Sequence, residues 1–249
     1  PTWLRRQRQM CIRDRSLGID FQEITSYSDS PAINHIYIMD DDTGAYAASS
    51  IYEGEIYYSY VNVSSSWFDT HSTNMGTYSL QTIHHELGHV LGLGHQGNYN
   101  GSASYSSDAK YTNDSWQASM MSYFDPTQNP NVTASYAFLM TPSAVDWIAL
   151  DDIYSDYGYG VANAFTGNTI YGFNTNISSS ESNIWNSFSS MISTNAYCIV
   201  DGAGTDTLDL SGLSTNDYID LRPTDKSSTT LYASNIGGLT GNLHIAADT

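Results

Sequence analysis

The apolar residues near the amino terminus come in short, partly alternating runs rich in Ile, Tyr and Val. Four such runs occupy residues 19–25, 33–40, 45–52 and 55–63, and polar turn residues separate them. Alternation of apolar and polar positions is typical of strands that bury one face. The pattern therefore predicts a single sheet built from these four segments.

A helical spacing of apolar residues replaces the alternation after residue 78. One stripe of the predicted helix carries Leu80, Ile83, Leu87, Val90 and Leu91. Ser79 is a residue type that caps the start of a helix, and Gly92 is one that follows its end. We therefore predict a helix between Ser79 and Gly92, with one face in the core.

A second helix is predicted within residues 141–154, because Thr141 precedes Pro142 and proline favours the first turn of a helix. The segment between the two helices, residues 96–119, is rich in Gly, Ser, Asn and Asp. A loop of this length is expected to have a function or a bound ion that orders it.

Beyond residues 158–160 the apolar runs become shorter, and Asn, Asp, Gly and Ser separate them. Four of these runs are predicted as strands of an all-β unit: residues 169–173, 197–200, 207–212 and 218–222. The whole pattern predicts an α+β protein, with one unit at residues 16–158 and a second at residues 159–249.

Composition narrows the functional classes. The 249 residues include 26 acidic and 8 basic side chains, for a formal net charge of −18. Such a chain repels nucleic acid and anionic membranes, so neither is an expected partner. Abundant Ser, Thr, Asn, Gly and Tyr are typical of a secreted protein, and no apolar run is long enough for a membrane span. We expect a secreted, extracellular monomer.

Residues 1–15 differ from the rest of the chain. They contain five of the eight basic residues and no apolar stretch of the kind found in signal peptides. We expect a non-native scar joined to a truncated reading frame, and a disordered basic arm is the alternative. The two cysteines, Cys11 and Cys198, give neither a disulfide framework nor a metal pair, and Cys198 is expected to be a small buried apolar residue.

Four of the seven histidines lie within the twelve-residue segment HHELGHVLGLGH, which begins at His84. His85 and His89 are four apart, so on a helix both imidazoles project from one face and can hold one ion. Gly92 can adopt a positive φ, which turns the chain and brings His95 in as a third ligand. The spacing predicts one zinc ion on these three side chains, whereas His84 is predicted to face away from it.

Three imidazoles leave one coordination position open for water, as catalytic zinc requires. Zinc lowers the pKa of such a water to about 7, and Glu86 is placed to take its proton without binding the metal. The sequence therefore predicts hydrolytic chemistry with Glu86 as the general base.

The pattern HExxHxxGxxH is that of the metzincin metallopeptidases, which also carry a downstream methionine turn, and SMMSYF at residues 119–124 matches that turn. The helix by itself is also similar to that of the matrix metallopeptidases. The turn resembles that of the serralysins, which are secreted bacterial zinc endopeptidases. Further matching segments are HQGNYNG, SSDAKYTNDSWQASMMSYF, YGFNTN, DGAGTDTLDLSG and GGLTGNLHIA. The resemblance covers residues 18–249.

The resemblance implies a metzincin catalytic domain in residues 16–158: a twisted, mostly parallel sheet with an active-site helix and a second helix. It implies that Met121 packs beneath the metal. It also implies that Tyr123 ligates zinc in the resting enzyme and later stabilises the oxyanion. GAYAASS at residues 44–50 resembles the edge strand with which an extended peptide substrate pairs.

The segment DGAGTDTLD at residues 201–209 resembles the calcium-binding nonapeptide of the same family, with Asp201 in place of the first glycine. Asp201 and Asp206 can offer carboxylate oxygens to a hard cation, and the backbone turn at Gly204 can add a carbonyl oxygen. The resemblance implies that this segment and the loop before residue 169 enclose calcium at the start of a β-roll. The second unit would then be the first part of the family's carboxyl-terminal β domain without its tandem repeats, and we expect a fragment.

The leading hypothesis is a secreted zinc endopeptidase that cleaves extended peptide or protein substrates, with one catalytic Zn²⁺ and structural Ca²⁺. A matrix-metallopeptidase-like enzyme is the first alternative, and Tyr123 and the calcium segment disfavour it. The second alternative is a non-catalytic, calcium-ordered surface or adhesion module with a vestigial zinc site. It is disfavoured because the three histidines and Glu86 are all intact.

Overall fold

The computed structural model describes residues 16–19, 21, 35–179, 181–227 and 231–249. The predicted scar lies outside these residues, and so does most of the strand predicted at residues 19–25. Within the described part, no helix combines the length and the apolar character that crossing a bilayer requires.

Three of the strands predicted near the amino terminus form one sheet. They are β1 (His35–Met39), β2 (Ala45–Tyr52) and β3 (Glu55–Val63), in the order β1-β3-β2. β1 runs parallel to β3, and β2 runs antiparallel to it. The described strands thus make one parallel and one antiparallel pairing, so a mostly parallel sheet is not confirmed. β2 lies at the edge of this described sheet.

Two helices follow the sheet, α1 (Ser65–His71) and α2 (Tyr78–Val90), and α2 carries the histidine motif. Ile83 and Leu87 of α2 pack against a small core that joins both helices to the sheet. The buried members of this core are Val61, Val63, Phe68 and Val90. Burial of these apolar side chains, at roughly 25 cal/mol per Å², holds the motif helix against the sheet.

The start of α2 differs from the prediction, whereas its end agrees. Thr77 is the N-cap and makes no side-chain capping hydrogen bond. The predicted cap by Ser79 is wrong, because Ser79 lies inside the helix and is fully buried. The helix ends at Val90, and Gly92 has a φ of 99°, a conformation that favours glycine. This turn redirects the chain toward His95.

The polar segment after the motif is a loop, as predicted, with one helical turn, α3 (Tyr105–Asp108). The second predicted helix is α4 (Ala144–Tyr154), capped by Ser143. The Asp146 carboxylate accepts a hydrogen bond from the Ser143 backbone at 2.8 Å, which completes a capping box. The predicted start at Thr141 and Pro142 is therefore wrong.

The second half contains more helix than predicted. Its strands are β5 (Ile170–Gly172), β6 (Asn195–Ile199), β7 (Thr207–Asp209), β8 (Ala233–Ser234) and β9 (Leu243–Ile245). Two short helices, α5 (Asn183–Asn186) and α6 (Phe188–Met191), lie between β5 and β6. The prediction that this half is an all-β unit is therefore wrong. The strand predicted at residues 218–222 is also wrong, because Tyr218 forms only an isolated bridge with Asn235.

The two predicted units share a sheet and a core. β4 (Phe138–Leu139) pairs in parallel with β6, in a four-stranded sheet of order β4-β6-β9-β8, and β5 pairs with β7. One core cluster includes Leu80 and Met121 from the first half and Tyr197 and Cys198 from the second. Cys198 is 1% exposed, as predicted for a buried apolar residue. The second half therefore packs directly against the elements that carry the motif.

Candidate metal centre

The three histidines of the motif come together at the end of α2. The Nε2 atoms of His85 and His89 lie 3.2 and 3.0 Å from the Nε2 atom of His95. Tetrahedral zinc with Zn–N bonds of ~2.0–2.1 Å would separate its ligand nitrogens by ~3.3 Å, so the observed spacing fits this ion. Within the described residues, no other group of three or more His, Cys, Asp or Glu side chains is placed to hold a metal.

The opposite ring nitrogens show which tautomer each histidine adopts. Each Nδ1 atom lies 2.8 Å from one backbone carbonyl oxygen, and in the order of the histidines these oxygens belong to Met120, Leu93 and Tyr99. A carbonyl only accepts hydrogen bonds, so each Nδ1 carries the hydrogen and each Nε2 presents a lone pair. Lone pairs at this separation repel one another unless a cation lies among them. The arrangement is therefore organised for a metal.

Burial keeps these imidazoles neutral. Desolvation lowers the pKa of His85 to about 4 and also lowers the pKa of His89 and of His95. The hydrogen bond from each ring to its carbonyl opposes this shift, but desolvation is the larger effect. The neutral ring is the form that binds a metal, so all three are ready to bind at neutral pH.

Glu86 is the acidic group of the motif. It lies on α2 between two ligands, three residues before His89 and hence on a neighbouring part of the helix surface. Its side chain is 6% exposed, and desolvation raises its pKa to about 7. A carboxyl group with a pKa near neutral is suited to accept and release a proton during turnover.

Met121 packs against α2 next to a ligand. It is 2% exposed, and a β-carbon added to Gly88 would lie 2.7 Å from its sulfur atom. The glycine that precedes His89 therefore leaves room for the methionine. This places the predicted methionine turn against the motif helix, and its neighbour Met120 accepts the hydrogen bond from His85.

Tyr123 lies beside the same histidines. Its ring centroid is 4.6 Å from that of His95 and 6.0 Å from that of His85. Its hydroxyl accepts a hydrogen bond from the Gly101 backbone at 3.3 Å. The structure thus brings Tyr123 to the metal centre, with its hydroxyl on the loop that follows the motif.

His84 is separate from the three ligands, as predicted. It is 6% exposed, and its Nδ1 atom has no hydrogen-bond partner among the residues that the structure describes. Desolvation lowers its pKa to about 4. It is therefore a neutral, buried side chain that belongs to the helix packing and not to the metal centre.

Sequence reasoning missed Asp146, whose carboxylate binds the methionine turn that in turn accepts the hydrogen bond from His85. This carboxylate is 2% exposed and accepts hydrogen bonds from the Met120 backbone at 2.8 Å and the Ser119 hydroxyl at 2.6 Å. Met120 in turn holds His85. The spacing of Ser143 and Asp146 matches a capping box and could have indicated the residue, but not its contact with the methionine turn.

Sequence reasoning also missed Asp114, in the polar loop. It is fully buried and accepts hydrogen bonds from the Tyr99 hydroxyl at 3.0 Å and from the Ser122 hydroxyl at 2.6 Å. Aspartate in a polar segment is usually exposed, so no sequence signal marks this one.

The segment at residues 201–209 contacts the loop before β5. Asp206 accepts a hydrogen bond from the Thr169 backbone at 2.8 Å. Gly204 has a φ of 139°, and a β-carbon there would collide with the Gly167 carbonyl. Asp201 is 4% exposed and accepts a hydrogen bond from the Tyr171 hydroxyl at 2.7 Å. The pKa of Asp201 is raised, chiefly by desolvation, and the charge of Asp206 adds to the shift.

Comparison with known proteins extends over both halves of the chain. Residues 161–249 match the family described as Peptidase M10 serralysin C terminal. The chain is 34% identical over 200 residues to Metalloprotease AprA of Pseudomonas entomophila (strain L48). That alignment covers 78% of this chain and 38% of the relative.

Two further relatives are serralysins. Identity is 33% over 216 residues with Serralysin B of Dickeya chrysanthemi, covering 84% of this chain and 40% of that protein. It is 31% over 236 residues with Serralysin of Photorhabdus sp. (strain Az29), covering 92% and 45%. The chain thus spans about two fifths of the length of these relatives. By this similarity the chain belongs to the serralysin-type metalloproteases.

Proposed function

We propose that this chain carries the catalytic centre of a secreted zinc endopeptidase that hydrolyses peptide bonds of protein substrates. The observation that carries the proposal is the convergence of the Nε2 atoms of His85 and His89 on that of His95, at 3.2 and 3.0 Å. The names of the relatives, metalloprotease and serralysin, support both the metal and the reaction class. The chain spans only part of the length of those proteins. That it shares their proteolytic activity is therefore part of this proposal.

The chemistry divides between the metal and Glu86. His85, His89 and His95 would hold the zinc ion, which would supply a Lewis acid to polarise the substrate carbonyl and to acidify the attacking water. Glu86 takes a proton from that water and returns it to the leaving amine. Burial, which raises the pKa of Glu86 to about 7, lets the carboxyl group hold the proton between these two transfers.

Tyr123 is proposed to act after substrate binding, when the attack of water creates the oxyanion. Its ring already packs against His95, and its hydroxyl lies on the loop at Gly101. Release from Gly101 would let the hydroxyl donate a hydrogen bond to the developing oxyanion. Ligation of zinc by the same hydroxyl in the resting enzyme is also part of the proposal.

An extended peptide is the proposed substrate. β2 is an edge strand among the described residues, and it packs beside α2. An edge strand can pair with an extended chain through backbone hydrogen bonds, which gives affinity without demanding a particular side chain. A protein substrate would therefore bind along β2, next to the histidines.

A structural calcium ion is proposed for the second half. Asp201 and Asp206 lie in one glycine-containing turn, and the charge of Asp206 disfavours ionisation of Asp201. A hard cation between the carboxylates would relieve that repulsion, and carboxylates keep additional lone pairs for it beyond their present hydrogen bonds.

The alternatives have less support. The relatives that match are serralysins and metalloproteases, so a matrix-metallopeptidase-like enzyme is not favoured. A non-catalytic surface module with a vestigial zinc site would require an impaired centre, and the three Nε2 atoms still converge. The experiment below separates it from an enzyme.

Hydrolysis of casein tests the proposal. The chain should cleave casein, a zinc chelator should abolish cleavage, and added zinc should restore it. The His89→Ala variant should neither cleave casein nor recover with zinc. Tight zinc binding without any cleavage would support the non-catalytic module instead, and cleavage that survives both the chelator and His89→Ala would contradict a zinc mechanism at this centre.

A further inference from the structure

Asp114 lies at the junction of two hydrogen-bonded arms that lead to the metal centre. It is 0% exposed, and its own backbone is held in place by the Asn129 side chain, which donates to the Asp114 carbonyl at 3.0 Å. Both side chains that point at its carboxylate, Tyr99 and Ser122, donate hydroxyl hydrogens to it. A buried carboxylate is an acceptor only, so this set of partners suits it.

The first arm leads to the third metal ligand. The Tyr99 hydroxyl donates to both carboxylate oxygens of Asp114, at 3.0 and 3.2 Å. The backbone carbonyl of the same Tyr99 accepts the hydrogen bond from His95 Nδ1 at 2.8 Å, and its ring stacks on His95 with centroids 5.7 Å apart. Asp114 therefore fixes the residue that sets the orientation of His95.

The second arm leads to Tyr123. The Ser122 hydroxyl donates to Asp114 at 2.6 Å and accepts from the Phe124 backbone at 3.1 Å. The two bonds hold the turn on both sides of Tyr123. The Tyr99 ring also packs against that of Tyr123, with centroids 4.8 Å apart. One carboxylate thus ties together the loop that supplies His95 and the turn that supplies Tyr123.

We propose that Asp114 is a positioning residue that, through Tyr99 and Ser122, holds His95 and Tyr123 in place at the metal centre. The proposal rests on the zinc site of the proposed function. Groups that hold metal ligands through hydrogen bonds typically change metal affinity 10–100-fold when they are removed. Loss of Asp114 should therefore weaken metal binding, even though Asp114 touches neither the metal nor the substrate.

Metal affinity, measured without turnover, tests the proposal. The full chain is stripped with a chelator, and Co²⁺ affinity is measured by competition with a coloured chelator, together with the visible spectrum of bound Co²⁺. Asp114→Asn and Tyr99→Phe should each weaken binding by up to about 10-fold, the lower end of the range for groups bonded directly to a ligand, and alter the spectrum. The double variant should be no weaker than Asp114→Asn, because both changes break the same arm.

Tyr105→Phe is the matched control. Tyr105 lies in the same loop, and its hydroxyl donates to the Thr112 carbonyl at 3.0 Å, away from the histidines. Its loss should leave Co²⁺ affinity and spectrum unchanged. Wild-type affinity in Asp114→Asn and Tyr99→Phe, or an additive loss in the double variant, would overturn the positioning role alone. Failure of the wild-type chain to bind Co²⁺ would overturn the zinc site and this role together.

Discussion

The sulfur atom of Met121 occupies the space that a β-carbon on Gly88 would need, since the two would be 2.7 Å apart. Gly88 is an interior residue of α2, where alanine would ordinarily stabilise the helix by ~1 kcal/mol. Here the buried methionine should reverse that preference. The contact couples the motif helix directly to the turn that also supplies Tyr123.

Gly88→Ala should therefore destabilise the protein. Overpacking typically costs ~1–3 kcal/mol, which exceeds the gain in helix propensity, so we expect a net loss of up to ~2 kcal/mol in the free energy of unfolding. Urea denaturation measures it. Gly94→Ala is the control, because a β-carbon there would meet no atom within 4 Å. A Gly88→Ala protein at least as stable as the wild type would contradict this account of the contact.

Glu86→Gln should keep the metal and lose the reaction. The amide cannot accept a proton from water, and a general base is typically worth 10²–10⁴-fold in rate. We expect kcat on casein-derived peptides to fall by ~10²–10⁴-fold, with zinc content unchanged by metal analysis. A variant that kept most of its turnover with full zinc content would remove Glu86 from the mechanism.

Tyr123→Phe should lower kcat more than it raises KM. The hydroxyl is asked to act mainly in the transition state, and three histidines suffice to hold the ion. Steady-state kinetics with a peptide substrate, together with zinc analysis, measures both. If only KM rose, Tyr123 would be a substrate-binding residue, and the proposed oxyanion role would be wrong.

His244 should make the protein more stable as the pH rises from about 4 to about 6.5. It is 2% exposed on β9, and desolvation lowers its pKa from 6.5 to about 4, although carbonyl oxygens of Tyr232 and Gly241 lie 3.2 Å from its ring nitrogens. Between these pH values the unfolded chain binds the proton and the folded chain does not, so the free energy of unfolding increases with pH.

The measurement is urea denaturation at several pH values, with a chelator present so that metal release does not contribute. Between about pH 4 and pH 6.5, the free energy of unfolding should rise less steeply with pH in His244→Asn than in the wild type. The difference between the two slopes should be up to ~1.4 kcal/mol per pH unit. Equal slopes in the two proteins would show that His244 does not titrate on unfolding.

Calcium should stabilise the second half of the chain. A cation that binds only the folded form adds about 2.7 kcal/mol at a hundredfold excess over Kd. Calcium should therefore raise the Tm and slow proteolysis of residues 159–249, and Asp206→Ala should remove both effects. Asp225→Ala is the control, because Asp225 is an exposed carboxylate of the second half that lies outside residues 201–209. The calcium proposal would be refuted by a Tm that is the same with and without calcium.

The sequence by itself determined the local part of the metal centre. Helical spacing brings His85 and His89 together, and the positive φ of Gly92 returns the chain to His95, all within twelve residues. Such features depend on backbone geometry over a few residues, and for that reason a pattern of residue types predicts them. Alternation likewise predicted β2 and β3, because a strand with one buried face repeats every two residues.

Only the tertiary structure decided which groups hold those ligands in place. His85 donates to Met120, which is 35 residues away, and His95 depends on Tyr99, whose hydroxyl is held by a buried aspartate. The capping box of α4 is local, but its Asp146 carboxylate also accepts a hydrogen bond from Met120, 26 residues away, and no local pattern indicates that contact. Partners that are distant in sequence produce no periodic pattern of residue types. Such contacts therefore cannot be predicted from the pattern and are set only when the chain folds.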